Sequence, residues 1–265
     1  MVEKLPSLPS ELSERPRYAA QVTEDLLTGG RRLRQAFLQT PMRFAGRDMP
    51  LIRPSDPEPS VILMRSGFAF RFCGLADGRR AILNVVTPGD FIGLDHIVLH
   101  RPIEEITAAN RVGYHQLRAS EVRALMADPA VTLQILALMA EGRWRGDRLA
   151  TSIGRLDARG RICVLLLDLY DRLRRHGLIS RMTYNLPLTQ EQIADHLGLT
   201  LVHVNRTLRR LREERLVLVD RQVVIITDLD RLRVLVRSSC PAVELPEPAA
   251  SIVEAVNGAR ASFAP

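Results

Sequence analysis

Leu201, Val202, Asn205, Arg206 and Arg209 fall at i, i+1, i+4, i+5 and i+8 of a segment with helical periodicity, so one face carries an amide, two guanidiniums and two apolar side chains. An arginine can grip guanine through two hydrogen bonds, an asparagine can pair with the edge of adenine, and an apolar side chain can meet the thymine methyl. That combination suits the major groove of double-stranded DNA. Arg210, Arg212 and Arg215 extend the positive charge along the same stretch, where phosphates would lie. An arginine-rich face turned only to solvent would carry the same charge, so charge by itself does not separate the two readings.

The elements that must position this face decide between them. Residues 188–215 read LTQEQIADHLGLTLVHVNRTLRRLREER. Thr189 with Gln192 three residues later is a capping box that starts a helix, and Ile193, Ala194 and Leu197 give that helix one apolar face. Gly198 closes it. Thr200 caps a second helix whose Val204, Leu208 and Leu211 recur at i, i+4 and i+7 and lie against the first. Two short apolar runs follow, at 216–219 and 223–226, separated by Asp220, Arg221 and Gln222, which predicts a hairpin. A capped helix, a glycine turn, a second capped helix and a hairpin make a winged helix-turn-helix, which favours DNA over a merely solvated face.

With these residues in place, the stretch LTQEQIADHLGLTLVHVNRTLRRLREERLV, the hairpin and the following DLDRL resemble the carboxy-terminal domain of the Crp/Fnr superfamily of bacterial transcription regulators. Upstream, LADGRRAILNVVTPGDFIG is similar to the sensor domain of the same family, so the resemblance spans roughly residues 40–235. It implies an α+β fold: an antiparallel β-roll of the jelly-roll type, a long dimerisation helix and a winged helix-turn-helix. The expected boundaries are a tail at 1–22, the roll at 23–128, the dimerisation helix and hinge at 129–156, the DNA-binding domain at 157–237 and a second tail at 238–265. By the resemblance Arg206 matches the family's base-reading arginine, Asn205 stands at a second, variable reading position, and Val202 stands where many members carry a base-reading glutamate. That last departure predicts a half-site different from the usual one. His203 falls at a phosphate position, and Thr189, Thr200, Leu201, Arg209 and Arg210 are assigned to phosphate or groove.

The amino-terminal half has the texture of a roll. Apolar runs at 61–64, 68–72, 81–86 and 91–94 alternate with turn signals at 53–59, 66–67, 76–79 and 87–90, and many short strands at such spacing close around a small pocket. An effector pocket is expected at Gly89, Asp90, Phe91, Ile92, Gly93, Ile106 and Thr107. Cyclic-nucleotide-binding members of the family carry a glutamate after the GDFIG-like turn and an Arg-Ser pair further on. Here those positions read Leu94-Asp95 and Ile106-Thr107, so a cyclic phosphate would lack its main charge partner and tight cAMP binding is not expected, Arg101 and Arg111 being the replacements at hand. Clustered amino-terminal cysteines for an iron–sulfur sensor are absent.

A roll with His96, His100 and His115 raises the rival of a metal-dependent cupin enzyme. Cupin sites resemble His-x-His followed by glutamate, whereas His96 and His100 have three residues between them and no glutamate in step, so hydrogen-bonded or surface histidines are expected and no metal. Cys73 is expected to be a small buried hydrophobe on a strand. No nucleophile–base pair or phosphate loop is visible, which reads against an enzyme and against a cofactor.

The remaining segments connect these parts. Residues 23–39, interrupted by Gly29 and Gly30, predict two short helices. Val131, Ile135, Leu138, Gly142, Leu149 and Ile153 lie along one side of a long helix, which is either a core face or, as favoured here, the seam of a homodimer in which Gly142 lets two backbones approach. Residues 156–158 are the expected hinge and 161–174 an amphipathic helix opening the DNA-binding domain. A last short helix is expected through Val236.

Composition agrees with this outline. The 265 residues are 46% hydrophobic and 25% charged, enough for two cores, and the net charge of +7 favours polyanionic partners. Three cysteines, far apart and odd in number, argue for a reducing compartment. No apolar run approaches a membrane span and the amino terminus lacks the apolar core of a signal peptide, so a cytoplasmic protein is expected. The expected partners are double-stranded DNA, a second copy of the chain, RNA polymerase and an unidentified small-molecule signal.

Overall fold

A computed structural model describes residues 15–74, 80–99, 102 and 104–239; expectations falling on His100, Arg101, Cys240 and the outer parts of both tails lie outside them. In chain order the elements are α1 (Arg15–Leu38), β1 (Arg43–Ala45), β2 (Pro50–Ile52), β3 (Ser60–Ser66), β4 (Ala69–Gly74), β5 (Arg80–Val86), β6 (Phe91–Ile92), α2 (His96–Leu99), β7 (Glu105–Ala108), β8 (Val112–Arg118), α3 (Ala119–Leu125) and α4 (Pro129–Arg155). After them come α5 (Ala158–Arg175), β9 (Thr183–Asn185), α6 (Gln190–Leu197), α7 (Leu201–Glu213), β10 (Val217–Asp220), β11 (Val223–Ile226) and α8 (Leu229–Ser239).

The roll is two antiparallel four-stranded sheets, ordered β1-β8-β3-β6 and β2-β7-β4-β5. Strand periodicity explains how it is packed on every side. Along β3, Ile62 and Met64 point between the sheets and meet Ile52, Ala69, Val86 and Ile106. The alternate residues Val61 and Leu63 point outward and are covered by Leu33 and Phe37 of α1 and by Val131 and Ile135 of α4. On the second sheet, Ala69 faces the interior, whereas Phe70 and Phe72 face outward into a cluster with Ile162, Leu166, Leu169 and Ile193. The carboxy-terminal helices therefore share a continuous core with the roll of their own chain.

Three expectations need correction. Residues 23–39 form part of one uninterrupted helix, and since it begins at Arg15 the tail does not reach residue 22. Gly29 serves a close crossing: a Cβ there would lie 1.9 Å from the Ala130 carbonyl oxygen at the start of α4. Cys73 is exposed, because β4 continues past the region that the helices cover; Cys163, on α5, is the buried one.

Asp128 caps α4 by accepting from Ala130 N at 3.0 Å, with Pro129 in the first turn. At its other end Leu156 is extended and Asp157 caps α5 by accepting from Gly160 N at 2.8 Å, so the joint between the two helices is short. Tyr184 of β9 donates from its hydroxyl to Leu166 O at 2.7 Å, which ties the small sheet β10-β11-β9 to α5.

Candidate nucleic-acid interface

The recognition element is built from local signals that all agree. Thr189 Oγ1 accepts from Gln192 N at 3.2 Å, and Gln192 Oε1 accepts from Thr189 N at 2.8 Å, closing the capping box of α6. Gly198 turns the chain at φ 60°, a left-handed conformation that glycine adopts without penalty, and Leu199 N donates back to Ala194 O. Thr200 Oγ1 then accepts from His203 N at 3.2 Å to start α7. Arg161 of α5 donates to Leu197 O at 3.0 Å and to Leu156 O at 2.9 Å, holding the turn against the α4–α5 joint.

Val204, Leu208 and Leu211 are buried, together with Thr207, which fixes which side of α7 faces out. Leu201, Val202, His203, Asn205, Arg206, Arg209 and Arg210 are all exposed, Val202 at 71%. Among the described residues, the side chains of Asn205 and Arg206 make no intramolecular hydrogen bond or ion pair, so their polar ends are available to a partner. Arg209 and Arg210 differ. Their Nε atoms donate to Glu213 at 2.9 Å and Glu214 at 2.8 Å, partnerships at i+4 that the sequence reading overlooked although the spacing is visible.

Two arginines are displaced from the expected stripe. Arg212 donates to Val219 O of β10 at 3.3 Å, and Arg215 lies beyond the helix at φ 54°. The hairpin turn is tighter than expected, because β10 includes Asp220; Arg221 and Gln222 form a two-residue turn with φ of 43° and 67°. Its carbonyl at Gln222 accepts from Leu186 N, which seats the wing beside the start of α6.

The residues assigned to an effector pocket are distributed unevenly. A cleft of about 480 Å³ between the roll, α4 and α5 is lined by Gly89, Asp90, Phe91, Ile92, Gly93 and Ile106. Thr107 is not among its lining residues; it is buried in β7 with Oγ1 donating to Glu105 at 2.8 Å. Burial alone would raise the Asp90 carboxyl, but the Arg172 and Arg145 guanidiniums and the Thr87 N–H outweigh it and hold it below the usual carboxylate range. The histidines are tied to main chain: His96 Nδ1 donates to Ser60 O and His115 Nδ1 to Thr40 O, each at 2.9 Å.

The stripe assigned to a dimer seam belongs in part to the chain's own core. Val131 and Ile135 are each 2% exposed under α1, Leu138 packs on the same cluster, and Leu149 packs on the carboxy-terminal one. Gly142 and Ile153 are exposed. A helix this long presents more than one apolar stripe, and α1, which the sequence reading did not pair with it, claims the first.

Comparison with known proteins places this geometry. Residues 160–235 match the model of the Crp-like helix-turn-helix domain. The chain is 30% identical over 200 residues to the nitrogen fixation regulation protein FixK of Azorhizobium caulinodans, covering 75% of this chain and 79% of that protein. It is 30% identical over 184 residues to the transcriptional activatory protein AadR of Rhodopseudomonas palustris, covering 66% and 73%. Among solved structures, FixK2 from Bradyrhizobium japonicum shares the fold with a TM-score of 0.65 at 23% identity, covering 74% of this chain and 96% of that one. A β-roll with a capped, arginine-bearing recognition helix behind it, on a chain with these relatives, is a DNA-binding transcription regulator belonging to the Crp/Fnr superfamily.

Proposed function

We propose that the chain acts as a homodimer on an operator of two inverted half-sites, with Val202, Asn205 and Arg206 reading bases and His203, Thr189, Thr200, Leu201, Arg209 and Arg210 lining groove or phosphates. The observation that carries this reading is the contrast on α7: Asn205 and Arg206 are exposed and unpartnered, while the flanking Arg209 and Arg210 are held by glutamates. A second surface supports the dimer. Leu136, Met139, Arg143, Gly146, Ala150 and Ile153 are all exposed and fall at i, i+3, i+7, i+10, i+14 and i+17 of α4, the a/d spacing of a two-stranded coiled coil. This seam is rotated from the sequence-assigned stripe and keeps Ile153 from it.

Two-fold symmetry then sets the half-sites about one helical turn, ~34–36 Å, apart. Selection from randomised duplex DNA by the purified protein, at two salt concentrations, tests the proposal. A symmetric site whose affinity falls steeply with salt is expected; an asymmetric or absent site overturns it. The cleft at Gly89 to Gly93 supports a gated form in which a small-molecule signal alters DNA affinity, and titration calorimetry against candidate ligands separates gated from constitutive binding.

A further inference from the structure

The GDFIG-like turn, assigned from sequence to a ligand pocket, also contacts the winged-helix domain, through Asp90. Asp90 is oriented by Thr87, whose N and Oγ1 donate to it at 2.7 and 3.1 Å. Its carboxylate accepts from Arg172 of α5, which is 4% exposed and also donates to Val85 O at 2.8 Å and to Asp168 at 3.4 Å. Arg145 of α4 reaches the same carboxylate at 3.5 Å and Glu141 at 3.2 Å, and Arg175 of α5 joins Glu141 at 3.0 Å. One network thus links the roll, α4 and α5.

The neighbouring contacts point the same way. Strand β5 lies at the edge of its sheet, and two of its carbonyls are capped from the other domain, Val85 O by Arg172 and Ile82 O by His196 Nδ1 at 2.9 Å. The Gly89 Cα faces the His176 ring so closely that a Cβ would lie 2.1 Å from it. Apolar contact between Phe70, Phe72 and the helices is non-directional and would tolerate rotation. A buried, hydrogen-bonded ion pair does not, because turning away leaves charges without partners.

We propose that Asp90 and Arg172 form a positioning junction that holds the winged-helix domain in one orientation on its own roll and so determines which half-site separation the dimer accepts. The second part rests on the homodimer reading above. The exposed face of α7 is left open by the junction, so its effect is on geometry and not on access.

Two variants test it from opposite sides. Asp90→Asn keeps an acceptor for Thr87 and removes the charge; Arg172→Met removes the guanidinium and retains bulk in α5. Hydrogen exchange on the full chain is expected to quicken by on the order of tenfold in β5 and α6, with β3, β8, α7 and β10 unchanged. On operators whose half-sites are moved apart or together, both variants should lose the wild-type spacing preference while selecting the same half-site bases. Unchanged exchange in β5 and α6 overturns the junction, as does acceleration spread uniformly over both domains, which would mark a general core role. Retained spacing preference despite faster exchange overturns the specificity part. A wild-type protein that selects no symmetric site would overturn the proposed function instead, and the exchange comparison would still decide the junction.

Discussion

Arg209 Nε donates to Glu213 Oε1 at 2.9 Å, one helical turn further along the exposed face of α7. The pair is solvent-exposed, so it adds little to stability, but it engages a guanidinium that would otherwise be free for a phosphate. Glu213→Gln should therefore raise affinity for all DNA sequences alike and steepen the salt dependence by about one unit of log–log slope. Titrations at two salt concentrations on specific and unrelated duplexes measure this. A gain confined to one sequence would place Arg209 among the base readers.

Arg206 carries the opposite expectation. Without an intramolecular partner, it can present both donors of its fork to one base. Arg206→Ala should cost about 1–3 kcal/mol per half-site and broaden the preference at one position. Equal loss on every sequence, seen by repeating the selection with the variant, would reassign the residue to phosphate contact.

Two glycine substitutions separate backbone strain from steric clash. At Gly198 an added Cβ would meet only ordinary van der Waals neighbours, Arg161 Nη1 at 3.9 Å and Ile153 Cγ2 at 4.0 Å, but the backbone is left-handed, so Gly198→Ala should destabilise by about 1–2 kcal/mol through strain alone. At Gly29 the backbone is helical and the obstacle is the Ala130 carbonyl, which belongs to the main chain and cannot rotate away. Gly29→Ala should be the more damaging, beyond about 1–3 kcal/mol, because α1 must lift from α4. Denaturant unfolding of both variants checks the order.

His196 predicts a pH dependence. Burial disfavours the imidazolium and pulls its pKa below the ordinary value, and the hydrogen bond to Ile82 O opposes this only in part. With the folded pKa below an unfolded value of about 6.5, the unfolded chain takes up the proton first, so this contribution is complete above roughly pH 6.5 and is lost as pH falls toward the folded pKa. The thermal midpoint should drop between about pH 7.5 and 5.5, less so in His196→Gln. An identical pH profile in the variant would assign the drop to other groups.

Much of the interface is legible in the amino-acid order because its signals are local. Thr189, Gln192, Gly198 and Thr200 act within four residues of themselves, through caps and one left-handed turn, and the i, i+4, i+7 series of Val204, Leu208 and Leu211 orients α7 without reference to the rest of the chain. Strands β3 to β6 of the roll are legible for the same reason, as short apolar runs between turns, whereas β1, β2, β7 and β8 carry no such run in the sequence reading.

What sequence alone determined is therefore the helix-turn-helix and its hairpin, the exposed face of α7 and the family to which they point. The tertiary structure decided which of two stripes on α4 is free, since Val131 and Ile135 are covered by Leu33 and Phe37, nearly a hundred residues away in sequence. It also made Asp90, which lines the cleft, the partner of Arg172, and brought Ile82 to His196. Periodicity reports that a face will be buried and is silent about what buries it, because apolar contact has no direction and long-range partners leave no local mark.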